Sequence, residues 1–118
     1  MNDWIRIPIR SVPMDRPRFW NGHAVTPKKS RQFMKECSIH LNLLKLNPLV
    51  GPVELSITFC FKTPKKPSKM YPRGDLDNHI KSFCDSANGI LWEDDSQIIE
   101  INAAKCYAPS DWILFKLS

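Results

Sequence analysis

Residues 53–61 alternate without a break: Val53, Leu55, Ile57, Phe59 and Phe61 are apolar, with Glu54, Ser56, Thr58 and Cys60 between them. A period of two places every apolar side chain on one face of an extended chain, so this stretch is a strand with one face in a core. Phe33, Cys37, Leu41 and Leu44 recur instead at helical spacing and predict a helix over 28–46. Thr26-Pro27 supplies its start, a hydroxyl cap before a proline at the first helical position. Asn47-Pro48 and Gly51-Pro52 end it.

A second apolar stripe, Leu76, Ile80, Phe83 with Cys84, and Ala87, predicts a helix from Leu76 or Asn78 to Ala87, stopped by Asn88-Gly89. Ile5, Ile7 and Ile9 read as a short strand, with Pro8 marking an edge or a bulge. Residues 11–26, broken by Pro13, Pro17 and Gly22, read as an irregular arm or loose hairpin. Residues 98–106 and 112–117 read as two more strands, and the Pro109-Ser110-Asp111 turn between them predicts a hairpin. The expected fold is α+β (mixed α/β), a single domain over 1–118. Two main helices would pack on a mixed β-sheet of about four strands, in the order β-α-β-α-β-β.

A formal charge of +5 and a pI near 9.2 favour a polyanionic partner without naming it. The cysteines, 37, 60, 84 and 106, stand 22–24 residues apart with no C-x-x-C pair, which argues against a zinc knuckle. Their apolar neighbours suit reduced, partly buried thiols. No secretory segment and no apolar run of membrane-spanning length occurs, which predicts a soluble cytoplasmic protein. Phosphate-loop, dinucleotide-binding, serine-hydrolase and zinc-protease motifs are all missing, and no nucleotide cofactor is expected.

The cations are gathered in three places. Residues 62–73 hold Lys62, Lys65, Lys66, Lys69 and Arg73 among three prolines and predict a loop, mobile without ligand. Arg10, Arg16 and Arg18 lie beside Phe19 and Trp20, a mixture suited to phosphate contact and base stacking, or to an aromatic anchor on the core edge. Lys28, Lys29 and Arg31 open the first helix with the wrong sign for its dipole, which a bound phosphate would explain.

Directly after the basic loop come Asp75 and Asp77, and farther on Glu93, Asp94 and Asp95. Asp75 and Asp77 can turn their carboxylates to one side if a cation sits between them, and magnesium suits such oxygens together with water and phosphate. Asp77 and Lys81, four apart, share a helix face, which leaves Lys81 free to meet a phosphate undergoing displacement. Strand phase from Ile99 and Ile101 selects Asp95 as the third acid, provided no turn falls at Ser96. Each feature has an ordinary alternative: a helix cap at Asp75 or Asp77, an Asp77–Lys81 surface pair, a solvated turn at 93–95. His23, His40 and His79 have no ligand spacing, and His79 reads as a helix-surface residue.

Asp75-Leu76-Asp77-Asn78-x-x-Lys81 followed by Trp92-x-Asp94-Asp95-x-x-Ile98 resembles the core of the RusA Holliday-junction resolvases of bacteria and phages. Arg16-Pro17-Arg18-Phe19 and Thr26-Pro27-Lys28-Lys29 are similar to the N-terminal part of phage-type members, so the resemblance spans nearly the whole chain. It departs in Glu93, an added acid, and in the Arg-Pro-Arg-Phe form of the N-terminal stretch. The resemblance implies a homodimeric endodeoxyribonuclease, dependent on Mg2+ with Mn2+ able to replace it, that nicks four-way DNA junctions symmetrically. It sets the essential acids at Asp75, Asp77 and Asp95, with Asp94 as a neighbouring ligand, and the assisting lysine at Lys81. Phosphate contacts would fall to Arg16, Arg18, Lys28, Lys29, Lys65, Lys66, Lys69 and Arg73. Two alternatives stand beside this reading: a branched-DNA-binding module without catalysis, and a basic protein–protein adaptor.

Overall fold

The alternating segment is β4 (Val53–Lys62), and Val53, Leu55, Ile57, Phe59 and Phe61 are all buried. A computed structural model describes residues 3–15, 18–25 and 27–118. On one side of β4 runs β6 (Trp112–Leu117), antiparallel, with Leu117, Phe115 and Ile113 opposite Leu55, Ile57 and Phe59. Beyond it β1 (Ile5–Ile7) sets Ile5 and Ile7 against Phe115 and Ile113 and forms one edge, as Pro8 requires. On the other side β5 (Ile98–Ala108) runs parallel to β4 and forms the second edge. The sheet order is β1-β6-β4-β5, mixed as expected.

Both helices cover the same sheet face. From α1 (Lys28–Leu43) come Phe33, Cys37 and Leu41, and from α2 (Leu76–Ala87) come Phe83, Cys84 and Ala87. Each Leu, Ile or Phe so buried contributes about 1.5–3 kcal/mol relative to an exposed position. α1 ends three residues short of the expected 46: Leu44 caps it and Lys45 turns left-handed at φ 53. At its other end Pro27 stands in the cap position, and Thr26 lies outside the described residues. The arm contains a small hairpin, β2 (Arg18–Trp20) and β3 (His23–Val25), turned by Asn21 and Gly22 at φ 50 and 77.

The expected hairpin of the last two strands does not form. β5 and β6 lie on opposite sides of β4, so residues 109–111 carry the chain over its end, a step of about 9.6 Å at two strand spacings. Asp111 straps that crossing: its Oδ1 accepts the Lys62 N–H at 2.8 Å and the Arg10 guanidinium at 2.9 Å. Burial explains the arrangement. Ile113, Phe115 and Leu117 can all be covered only at an interior position, whereas β5 leaves Ile99 68% exposed and tolerates an edge. The four cysteines are reduced, but Cys106 is exposed and only the other three are buried.

Candidate active site

β4, α2 and β5 form a parallel crossover, so the basic loop and the start of α2 lie at the carboxyl ends of the two parallel strands. That is where open sheets with helical crossovers bind ligands. α1 begins at this end too. Ser38 Oγ donates to the Ser86 carbonyl at 2.9 Å near the far end. At the near end Ser30 Oγ meets the Pro13 carbonyl at 3.5 Å, and the Met14 N–H donates to the Asn78 carbonyl at 3.0 Å. Two helix N-termini, both partially positive, therefore flank one place.

Asp75 occupies the cap position of α2 in extended backbone (φ −71, ψ 138), and its carbonyl accepts the N–H groups of Asn78 and His79 at 3.1 and 3.2 Å. Its carboxylate makes no capping hydrogen bond, although that is the usual reason for an aspartate there. Asp77, in the first turn, is exposed and, among the described residues, accepts only its neighbour's N–H, from Asn78 at 3.0 Å. Gly74 stands at φ +89, and a Cβ on it would lie 2.6 Å from His79 Nε2, so the residue before Asp75 has to be glycine.

His79 is fully buried, not on the helix surface as expected. Its ring lies between Phe59 and Phe61, Ser11 Oγ meets Nδ1 at 2.7 Å, and Nε2 meets the Arg73 carbonyl at 3.1 Å. Donation to that carbonyl makes the ring a neutral Nε2–H tautomer, and burial holds its pKa below the ordinary value. From β5, Tyr107 Oη donates to the Lys69 and Tyr71 carbonyls at 3.2 and 3.0 Å, and Lys105 Nζ donates to those of Pro72 and Gly74. The second half of the loop is thus tied down rather than hanging free. With its carbonyls turned inward, it walls a cavity of about 840 Å³ lined by Lys66, Lys69, Arg73, Asp75, Lys105 and Arg10, among others.

Lys65 is exposed outside that cavity, and Lys28 and Lys29 are exposed at the start of α1. Arg18 stands in β2, and Arg16 lies outside the described residues. Lys105 and Tyr107 were not among the sequence candidates. Their signal was available: they share β5's inward face with Ile101 and Ala103, where a cation is out of pattern.

The remaining acids lie farther along α2. Asp95 opens a 3-10 turn (Asp95–Gln97), so the strand phase that selected it does not hold. Asp94 caps this turn: its Oδ2 accepts the Ser96 N–H at 3.0 Å, while Gln97 Oε1 accepts the Asp94 N–H. Hydrogen bonds to Ser96 hold the Asp94 carboxyl below its usual range. Gln97 also donates to the Leu49 and Gly51 carbonyls, fixing the turn against the sheet, and Trp92 is a buried core residue. Burial pushes the Cys84 thiol up to about 12, with the charges of Asp95 and Asp85 adding to the rise and Lys81 opposing it. Cys84, near the end of α2, lies ~13 Å along the helix axis from Asp75, close enough to Asp95, Asp85 and Lys81 to feel their charges. Lys81, with its side chain 62% exposed, pairs with Asp85 at 3.7 Å rather than with Asp77.

Asp75 and Asp77 thus head the helix, while Asp85 lies in its last turn and Asp95 in the 3-10 turn that follows. Among the described residues no three His, Cys, Asp or Glu side chains close on a common point to hold a metal ion. The donor chemistry still suits magnesium, which takes one or two protein carboxylates and completes its shell with water and phosphate oxygens.

A family model described as endodeoxyribonuclease RusA matches residues 8–112. The chain belongs to the RusA endodeoxyribonuclease family. The matched segment of this RusA-family protein contains every described candidate residue, from the cations of the loop to Asp95. The reaction class follows from the family: hydrolysis of phosphodiesters within a DNA strand. The protein is also similar to YqaN, an uncharacterized protein of Bacillus subtilis strain 168, with 24% identity over 127 residues, 90% of this chain and 89% of that one. No helix among the described residues is long and apolar enough to cross a membrane.

Proposed function

We propose that this endodeoxyribonuclease resolves four-way DNA junctions by paired symmetric nicks, as a Mg2+-dependent homodimer acting in recombination and repair. The observation that supports it best is Asp75, a cap-position aspartate whose carboxylate does no capping and instead borders a cavity lined with cations. Asp75 and Asp77 would hold the ion, with water and phosphate oxygens completing its shell, and Asp95, beyond the far end of α2, would not reach that ion within one protomer. Asp94 would steady Asp95 by capping its turn more than by binding metal. When bound, the ion supplies an acidified water and charge neutralisation at the leaving oxygen.

The protein's own groups do the rest. Lys66, Lys69 and Arg73 in the cavity, with Lys65, Lys28 and Lys29 around it, grip the phosphates of the strand; Arg16 and Arg18 extend the grip from the arm. Lys81, mostly in solvent, can leave Asp85 for a phosphate oxygen and stabilise charge that develops in the transition state. A junction with two-fold symmetry needs two equivalent cuts, and a C2 dimer presents two equivalent sites.

The test is cleavage of a mobile four-way junction, with linear duplex as control, in Mg2+ and in EDTA, by wild type and Asp77→Asn. Paired nicks on the junction alone are expected, with Mn2+ able to replace Mg2+. They should be abolished by EDTA and lowered at least about 100-fold by the substitution, with binding kept. Tight binding without cutting in either metal would identify a binding module, and no binding would leave the adaptor.

A further inference from the structure

Lys105 lies on the inward face of β5, opposite Phe59, in a row otherwise made of Ile101, Ala103 and Tyr107. Its Nζ reaches the Pro72 and Gly74 carbonyls and stands 5.7 Å from the Tyr71 ring centre. Among the described residues it has no carboxylate partner within ion-pair distance. Ordering a long lysine side chain costs rotamer entropy, and a small apolar residue would fill β5's inward face without that cost.

What the lysine achieves is local to Asp75. The Gly74 carbonyl and the Asp75 N–H belong to one planar peptide unit. Holding that oxygen fixes the plane from which Asp75 departs, and charge-assisted donors hold it more firmly than neutral ones. Carbonyls do not neutralise the ammonium, so a full positive charge remains on the wall that Asp75 shares. We propose that Lys105 is a positioning residue for strand cleavage: by gripping the peptide before Asp75 it sets that carboxylate for the metal and the scissile phosphate. This rests on the function proposed above.

The experiment compares wild type, Lys105→Met and Lys105→Arg by single-turnover cleavage of a four-way junction, by half-saturating Mg2+, and by junction affinity in EDTA. It adds hydrogen exchange of the Asn78 and His79 amides, which bond the Asp75 carbonyl, in metal-free protein. Misplacement of a reacting group by about 1 Å costs about 100-fold, so Lys105→Met should lose about 10- to 100-fold in rate at saturating junction. Half-saturating Mg2+ should rise, affinity should hold within about threefold, and the two amides should exchange faster. Lys105→Arg, which can still donate to both carbonyls, should recover much of the rate. Wild-type rate and metal requirement in Lys105→Met would overturn the proposal, and so would a loss confined to affinity, which marks a phosphate contact. Should Lys105→Met fail to fold, Lys105→Gln keeps a donor without the charge and takes the same measurements. If wild type cuts no junction, the function reading falls separately. Exchange then decides for Lys105: faster amides in Lys105→Met support the grip on Gly74, and unchanged amides overturn it.

Discussion

His79 shows how a polar residue becomes part of a core. Its imidazole has two tertiary partners, Ser11 and the Arg73 carbonyl, and both of its flanking rings come from β4. None of these is near it in sequence except Arg73, so its spacing on α2 marked it as surface when packing made it interior. Ser86, buried on the same helix, donates its Oγ back to the Ser82 carbonyl at 2.8 Å, whereas the buried Ser82 Oγ meets no partner among the described residues. His79→Ala should destabilise the protein by about 2–4 kcal/mol in urea unfolding, through the cavity and two orphaned partners. The cysteines divide just as sharply. Burial lifts Cys37 to about 12, which leaves a thiolate fraction of ~10⁻⁴ at pH 8, while Cys106 is exposed. Iodoacetamide at pH 8 should therefore modify Cys106 readily and Cys37 and Cys84 only after unfolding, and Cys106→Ser should remove the fast phase in mass spectrometry.

Among the elements, α2 and β6 stand within the expected bounds, and β4 extends its alternation by one residue to Lys62. These were legible because each has an uninterrupted period of two or a stripe near 3.6. Pairing was not legible in the same way. A three-residue link between two strands suggests a hairpin, and only the demand for complete burial of Ile113, Phe115 and Leu117 reveals that β6 belongs between β1 and β4. The loop shows the same limit. Its prolines and cations predicted irregular backbone correctly, but its anchors come from β5, more than 30 residues away in sequence. Held this way, the loop lines the cavity with Lys66 and Lys69, the pair proposed to contact phosphates. Lys66→Ala with Lys69→Ala should weaken junction binding, and the slope of log affinity against log salt should fall by about one for each phosphate contact removed.

At the scale of the molecule, the fold brings the loop, the starts of both helices and the segment around Met14 to one end of the sheet. The acidic motif stood out in sequence because it follows the basic loop directly. What sequence could not give was its division along α2, with Asp75 and Asp77 at the head and Asp95 beyond the far end. That division depends on the 3-10 turn capped by Asp94, which displaces Asp95 from the strand phase. Membership of the RusA family makes the chain an endodeoxyribonuclease, and the acids at the head of α2 are proposed to serve that chemistry rather than the helix. The measurement that tests this most directly is Asp75→Ala, with unfolding and junction cleavage followed on one preparation. A working cap would cost about 0.5–2 kcal/mol on removal. Stability within about 0.5 kcal/mol of wild type is expected, with junction binding kept and cleavage reduced at least about 100-fold. Wild-type cleavage in a protein destabilised by the full cost of a lost cap would contradict that proposal.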